Sequence, residues 1–379
     1  MDRNGKLKVG IVGAAGRPRI FKSALEAHPR AAVAAICDIS EERLEQAKTH
    51  FGPCPAFLSY ESMLEQAGLD AVIIGTPMHF HVGQTLLALE RNLHVISEVP
   101  AGVSIEECRK LAEAAARSKG QYIMAENCNY MKPHMTIANM VRSGLFGELY
   151  FAEGEYLHEV KPLNESTPWR RTWQTGVNGI TYGTHSLGPI LEWMEGDRIA
   201  RVSCVGSGRH YADGQNRPYG IEDTCVMMAK TERGKLIRVR LDMLSERPTA
   251  LNYTLQGTRG CYESVRHELL GSGKVFVKNG ESDKHEWADL ATVGQDYIPD
   301  IWQRMPESML GPSGHGGSDY VMMTDFLDAL TEGKPSPISI HRALDMTLPG
   351  LISQLSIKRD GEWLDVPDSR AWCGDTACG

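Results

Sequence analysis

The first 127 residues repeat one pattern: a short, largely apolar strand, a turn, then a helix. Lys8–Val12, Val33–Cys37, Ala71–Gly75, Leu93–Ser97 and Gln121–Ala125 read as the strands. Between them lie a helix from Pro18 to about Ala27, "EERLEQAKTHF" capped by Ser40 and closed by Gly52, His79–Arg91, and "ECRKLAEAAARSKG" introduced by a capping pair, Ser104 and Glu107. Strands that are apolar on both faces must be covered on both faces. A helix after each strand returns the chain parallel to the last one. The pattern therefore predicts an α/β, doubly wound parallel sheet.

The pattern changes after about Asn127. "ELYFAEGEYLHEV" alternates as a long strand, and "CVMMAKTERGKLIRVRLDML" and "ALNYTLQGTRGCYESV" each read as two strands about a glycine turn. Helices are predicted near Pro133–Ser143, Thr184–Met194, Gly317–Leu330 and Ile340–Ile357, and an irregular loop over 161–178. This part is predicted to be an α+β domain on a large, open, mainly antiparallel sheet. The expected division is 1–127 and 128–379.

Composition excludes some classes. The net charge is −8, and the 40 basic residues form no long run, which argues against a nucleic-acid surface. No apolar run reaches the ~18 residues of a membrane span, and the N-terminus has no h-region, so a cytoplasmic protein is expected. The nine cysteines form no C-x-x-C pair, and Cys373 and Cys378 lack partner ligands. Reduced thiols and no metal site are expected.

Three strand ends carry the chemistry. "VGIVGAAGRPRIF" follows a strand and opens a helix, as a dinucleotide turn does. Gly13 takes the first fingerprint position, Ala15 and Pro18 replace the second and third glycines, and Gly16 adds local freedom. Arg17 and Arg19 fall near the expected phosphates. Asp38 ends the second strand, where a carboxylate accepts from a ribose 2′-hydroxyl and repels a 2′-phosphate, favouring NAD over NADP. "GTPMHFH" places Thr76, Pro77, His79 and His81 at the third strand end as cofactor contacts or packing residues. The fourth strand ends in Glu98-Val99-Pro100, an acid followed by a residue that moves no protons.

Together these residues, with "GTHSLG" around His185, resemble the glucose–fructose oxidoreductase, inositol dehydrogenase and rhizopine-catabolism (Gfo/Idh/MocA) family. The resemblance covers nearly the whole chain. It implies a Rossmann domain, a sheet domain facing the nicotinamide, a homodimer or homotetramer, and hydride transfer between NAD and a secondary carbinol of a carbohydrate. In typical members the strand end is Glu-Lys-Pro, and its lysine helps deprotonate the substrate; here position 99 is valine. The usual Asp-x-x-x-His has become Thr181 to His185.

A subset of that family, the NAD-dependent glycoside hydrolases, also lacks the lysine. Its members carry stretches similar to Tyr182-Gly183-Thr184-His185, to Gly314-His315-Gly316-Gly317, and to Glu126-Asn127-Cys128-Asn129-Tyr130. In them a sugar is oxidised at C3, the C2 proton is removed, the C1 group is eliminated, water adds, and the hydride returns. The resemblance implies His185, Tyr182, Tyr130 and His315 as proton-handling residues. It implies Asn127, Glu98 and the pair Trp169–Arg170 as cofactor-side residues. The leading expectation is an NAD-dependent sugar oxidoreductase. A redox-neutral glycosidase or lyase and a non-catalytic sugar or NAD sensor are the alternatives.

Overall fold

The computed structural model describes residues 5–267, 271–278, 286–310 and 314–373, and among them no helix is long and apolar enough to cross a membrane. The chain forms two compact units. The first comprises Met1–Asn127, Arg304–Leu344 and Ser369–Gly379; the second comprises Cys128–Gln303 and Asp345–Asp368. The expected single division, with 128–379 as one domain, counted two of these segments with the second unit. Cys378 lies outside the described residues.

The first unit holds a six-stranded sheet. Its strands are β1 (Leu7–Val12), β2 (Ala31–Cys37), β3 (Ala56–Phe57), β4 (Ala71–Ile74), β5 (His94–Ser97) and β6 (Tyr122–Met124), in the order β3-β2-β1-β4-β5-β6. Every pair is parallel. Strand order reverses between β1 and β4, so a crevice opens at their carboxyl ends, where ligands bind in such sheets. The capping residues act as read from sequence: the Ser40 hydroxyl accepts from the Arg43 amide, and that of Ser104 from the Glu107 amide.

Residues Arg304–Leu344 join this unit by specific bonds. The Met124 amide donates to the Ile338 carbonyl at 3.2 Å, extending the β6 edge, and the Ser336 hydroxyl donates to the Tyr122 carbonyl. Helix Ser318–Glu332 packs on helix Lys22–Ala27, and His28 meets Asp328 at 3.2 Å just beyond that helix. None of these partners is local, so periodicity carried no sign of them.

The second unit is built on nine strands: β7 (Leu149–Leu157), β8 (Ile199–Gly206), β9 (Thr224–Thr231), β10 (Leu236–Asp242), β11 (Ala250–Gly257), β12 (Gly260–Glu263), β13 (Lys274–Val277), β14 (Ala288–Asp289) and β15 (Leu364–Asp365). Their order is β14-β13-β12-β11-β7-β10-β9-β8-β15. The sheet is antiparallel except for β7 beside β10. Residues 161–178 are not all irregular: Lys161–Ser166 and Trp169–Trp173 are short helices, each opened by a proline in or next to its first turn.

Helix Thr184–Trp193 lies on β7 at close range. A Cβ on Gly154 would stand 2.9 Å from the Ser186 Cβ and 3.0 Å from the Ile190 Cδ1, so only glycine permits this approach. Trp193 ends the helix fully buried. Its ring stacks edge-on against His134, Tyr253 and Tyr262, and its indole N–H donates to the His134 carbonyl at 2.9 Å. This knot fixes the helix whose first turn carries His185.

Candidate active site

The turn after β1 is shaped for close approach. Gly13 has φ +74°, and its amide and that of Ala14 both donate to the Cys37 carbonyl. A Cβ on Gly13 would lie 2.8 Å from the Gly75 carbonyl oxygen, and a Cβ on Gly75 would lie 2.1 Å from the Pro18 Cγ. Glycine at 13 and 75 and proline at 18 therefore interlock where the strand order reverses. Pro18 holds the space that a third fingerprint glycine leaves open elsewhere.

Asp38 is buried at the end of β2. Its carboxylate accepts from the Ala15 amide at 3.3 Å, the Ser40 amide at 3.4 Å and the Arg43 Nε at 3.3 Å. Arg43 is the residue that sequence reasoning missed here; it sits inside a regular helix pattern, and only the fold aims it back at Asp38. The tight glycine cradle, the free edge of the sheet and a carboxylate at the second strand end fit an adenine dinucleotide. Gly13, Ala15, Gly16 and Arg17 would hold its phosphates and Asp38 its ribose. Replacing Asp38 with alanine is expected to weaken NAD binding about 10- to 100-fold, the worth of hydrogen bonds to a charged group. It should also narrow the preference over NADP, because Arg43 is released. Titration calorimetry with both cofactors checks this, and an unchanged NAD affinity would remove Asp38 from the site.

The third strand end is braced internally. The Thr76 hydroxyl donates to the Gln84 side chain at 2.6 Å. His81 is buried, with its ring nitrogens 2.9 Å from the Thr76 carbonyl and 3.2 Å from the Pro100 carbonyl. Burial holds its pKa below the ordinary histidine range, against the opposing pull of those carbonyls. The geometry makes His81 a tie between the Thr76–Pro77 turn and the β5 end. His79, at the start of the following helix, stacks on Phe80.

Glu98 and Val99 divide the β5 end. The Glu98 carboxylate lies 3.3 Å from the Arg17 Nε. Val99 is 5 % exposed, an apolar plug with no donor or acceptor in its side chain. Asn127, near the β6 end, is buried.

Arg17 reaches a second acid. Its NH2 group donates to Asp319 at 2.5 Å, and the Asp319 side chain is 0 % exposed. The other carboxylate oxygen accepts from His315 Nδ1 at 2.7 Å. Burial alone would raise the Asp319 pKa, but the His315 hydrogen bond and the Arg17 charge outweigh it and hold the carboxyl below its usual range. An ionised carboxylate only accepts, so Nδ1 carries the proton and Nε2 is left to act. Gly314, His315, Gly316 and Gly317 all have positive φ, at +64°, +43°, +65° and +97°. For His315 this costs roughly 1–2 kcal/mol. The glycines let the chain follow this path, and the histidine is the one side chain the path carries. Gly311–Ser313 of the same loop lie outside the described residues.

In the second unit the candidates gather around the end of β7. His185 stacks on Tyr156 at 5.1 Å, and Tyr182 meets both rings edge-on, at 5.1 Å from His185 and 5.6 Å from Tyr156. The Tyr156 hydroxyl is hydrogen-bonded to His158 Nδ1 at 2.9 Å, and the Tyr253 hydroxyl donates to the His185 carbonyl. Burial raises the Tyr156 pKa, with the Tyr182 charge adding and His185 and Arg170 opposing, so the phenol stays protonated near neutral pH. Tyr156 and His158 went unread because their strand shows only an ordinary alternation. Thr181 Oγ1 is buried without a hydrogen-bond partner among the described residues.

Trp169 and Arg170 also belong to this unit, the guanidinium lying 4.4 Å from the indole ring centre and donating to Gln174 at 2.8 Å. Tyr130 is buried, and its carbonyl accepts from the Trp302 indole. The proposed site residues thus fall into two groups. One is the carboxyl edge of the first sheet together with His315; the other is the β7 aromatic cluster with Tyr182 and His185. His315, expected in the second domain, belongs to the first unit.

A parallel sheet of order 3-2-1-4-5-6, with a glycine cradle at its switch point and an acid on the second strand, defines a Rossmann dinucleotide-binding protein. Residues 7–126 accordingly match a family model described as the oxidoreductase family, NAD-binding Rossmann fold, and NAD is the cofactor. Residues 130–372 match a second model, described as Glycosyl hydrolase 109, C-terminal domain. The chain belongs to the glycosyl hydrolase 109 family. It is similar to a glycosyl hydrolase family 109 protein of Saccharopolyspora erythraea, at 30% identity over 96% of this chain and 83% of that one. An alpha-N-acetylgalactosaminidase of Shewanella oneidensis is also 30% identical, over 88% of this chain and 78% of that protein. Among solved structures, levoglucosan dehydrogenase in complex with NADH and levoglucosan superposes with a TM-score of 0.81 at 19% identity, over 96% of this chain and 100% of that one. Apo scyllo-inositol dehydrogenase of Lactobacillus casei gives 0.73 at 18%, over 96% and 98%. The oxidoreductase fold is shared with dehydrogenases, and the family is that of the hydrolases.

Proposed function

We propose that this protein, with its NAD-binding oxidoreductase fold, cleaves a glycosidic bond of a carbohydrate in a redox-neutral cycle. The observation that carries this reading is Val99, a buried valine where the resembling dehydrogenases keep a lysine base. Without that amine, proton transfer falls to His185, Tyr182 and His315. When bound, NAD supplies a reversible hydride acceptor that activates the sugar toward elimination.

The chain's own groups then divide the work. His185, wedged between Tyr156 and Tyr182, is placed to take the proton of a sugar hydroxyl, since imidazole is a good base near neutral pH. Tyr156 keeps its proton, so it orients by hydrogen bonding and does not abstract. Tyr182 is the remaining phenol of the cluster and serves the C2 proton. His315 presents Nε2 as the acid for the departing group and the base for incoming water, and Asp319 fixes its tautomer.

The test is incubation of the protein with NAD and aryl glycosides in deuterium oxide. Aglycone release with no accumulation of NADH, and with deuterium at C2 of the product sugar, is expected. NADH accumulating in proportion to consumed sugar over many turnovers would sink the proposal and leave a sugar dehydrogenase.

A further inference from the structure

We infer that Asp319 is a positioning residue that links the cofactor turn to the His315 acid–base: Arg17 reaches both carboxylate oxygens, Oδ1 at 2.5 Å and Oδ2 at 3.4 Å, and His315 shares Oδ2 at 2.7 Å. This rests on the role given to His315 under the proposed function, and goes beyond it by making the state of that histidine depend on Arg17.

The argument starts from burial. A carboxylate with no exposed side-chain surface must be neutralised by what touches it. Asp319 is met by Arg17, from the segment after the glycine turn, and by His315, from the loop before its own helix. Glu98, at the β5 end, faces Arg17 from the other side at 3.3 Å. Helix Lys22–Ala27 also packs on the Asp319 helix, but its Lys22 and Glu26 pair with each other at 3.4 Å. Further along, His28 and Arg30 meet Asp328 and Glu332. Among the described residues, Arg17 and His315 are thus the partners that share the Asp319 carboxylate.

Sharing has a direction. The more Arg17 neutralises Asp319, the less the carboxylate favours a proton on His315. If Arg17 also holds a cofactor pyrophosphate, the same guanidinium would be shared with it, Asp319 would be less neutralised, and its hold on the His315 proton would tighten. The loop is built to transmit this without slack: a Cβ on Gly314 would lie 2.0 Å from Ile20 Cδ1 and 2.8 Å from Asp319 Oδ2. The turn segment, the acid and the glycine loop crowd together there, leaving no room for a side chain at position 314. A merely structural role, an acid in the first turn of a helix, explains the position of Asp319 but not its two specific partners.

The experiment is a titration of the histidine ring signals of the full-length protein by NMR, with His315 assigned by its loss in a His315→Gln variant. In Asp319→Asn the His315 ring signals are expected to titrate at lower pH than in the parent protein, because an adjacent opposite charge is lost. In Arg17→Gln the titration is expected to move to higher pH, and saturating the unmodified protein with NAD should move it the same way. Asp319→Glu should restore most of the shift. An unmoved His315 in Asp319→Asn would overturn the inference; if that variant does not fold, an unmoved His315 in Arg17→Gln overturns it instead. The titration does not depend on turnover, so a failure of the glycosidase reading leaves it intact. Conversely, aglycone release with an unresponsive His315 refutes the link alone.

Discussion

Replacing His315 with alanine is expected to lower aryl-glycoside turnover by about 10²- to 10⁴-fold, the usual contribution of a general acid–base, while NAD still binds. The reason is the division of contacts. Among the described residues, the contacts of Gly13 and of the Asp38 carboxylate do not include the His315 side chain, so these parts of the cofactor cradle are kept. What is lost is the imidazole whose Nδ1 is fixed by Asp319. Alanine also gives up a side chain with 44 % exposure, so the core is not opened. The effect should be smallest for aryl groups that leave readily without protonation and largest for alkyl glycosides. Rates across such a leaving-group series check the assignment. Equal losses across the series would move His315 from leaving-group protonation to another step.

The second large effect concerns stability. Trp193→Ala is expected to destabilise the second unit by about 3–5 kcal/mol, the range for removing a fully buried large aromatic side chain. The indole fills the space among His134, Tyr253 and Tyr262, and it is one of the largest side chains with no exposure. Its removal also leaves the His134 carbonyl without the indole donor. Trp193→Phe keeps most of the volume and loses that donor, and should cost about 1–3 kcal/mol. Urea unfolding followed by circular dichroism measures both. Because the same helix starts at Thr184, catalytic loss in Trp193→Ala should accompany the loss of stability, with NAD affinity less affected. A variant that unfolds at the same urea concentration as the parent protein would show that the helix is held elsewhere.

Much of the first sheet was legible because its signal is local. Each strand is short, apolar and bounded by a turn, and two of the helices announce their start with a capping residue, Ser40 and Ser104. Gly13 and Asp38 were legible for the same reason: backbone freedom and an acid at a strand end are local requirements. The parallel pairing of β7 with β10 was not legible. An alternating strand shows which face is buried but not which neighbour it joins.

The aromatic cluster shows the same limit from another side. Tyr182 and His185 stand in a readable motif, whereas Tyr156 and His158 belong to a strand whose alternation is ordinary. Only pairing in space shows that the Tyr156 ring lies against His185 and that its hydroxyl meets His158. Trp169 and Arg170 were read within a loop, and the fold places them in a short helix.

What the residues by themselves determined is the doubly wound sheet, the NAD turn, and a strand end without a base at Val99. These depend on periodicity, on glycine, and on which side chains have protons to move. Tertiary structure decided the rest. It took residues 304–344 out of the expected second domain, brought Arg17 to Asp319 across 302 positions, and so gave His315 a buried acid to hold its ring. The physical reason is that what a buried ion pair is worth depends on its desolvation and on its neighbours, and neither is a property of any short stretch of chain.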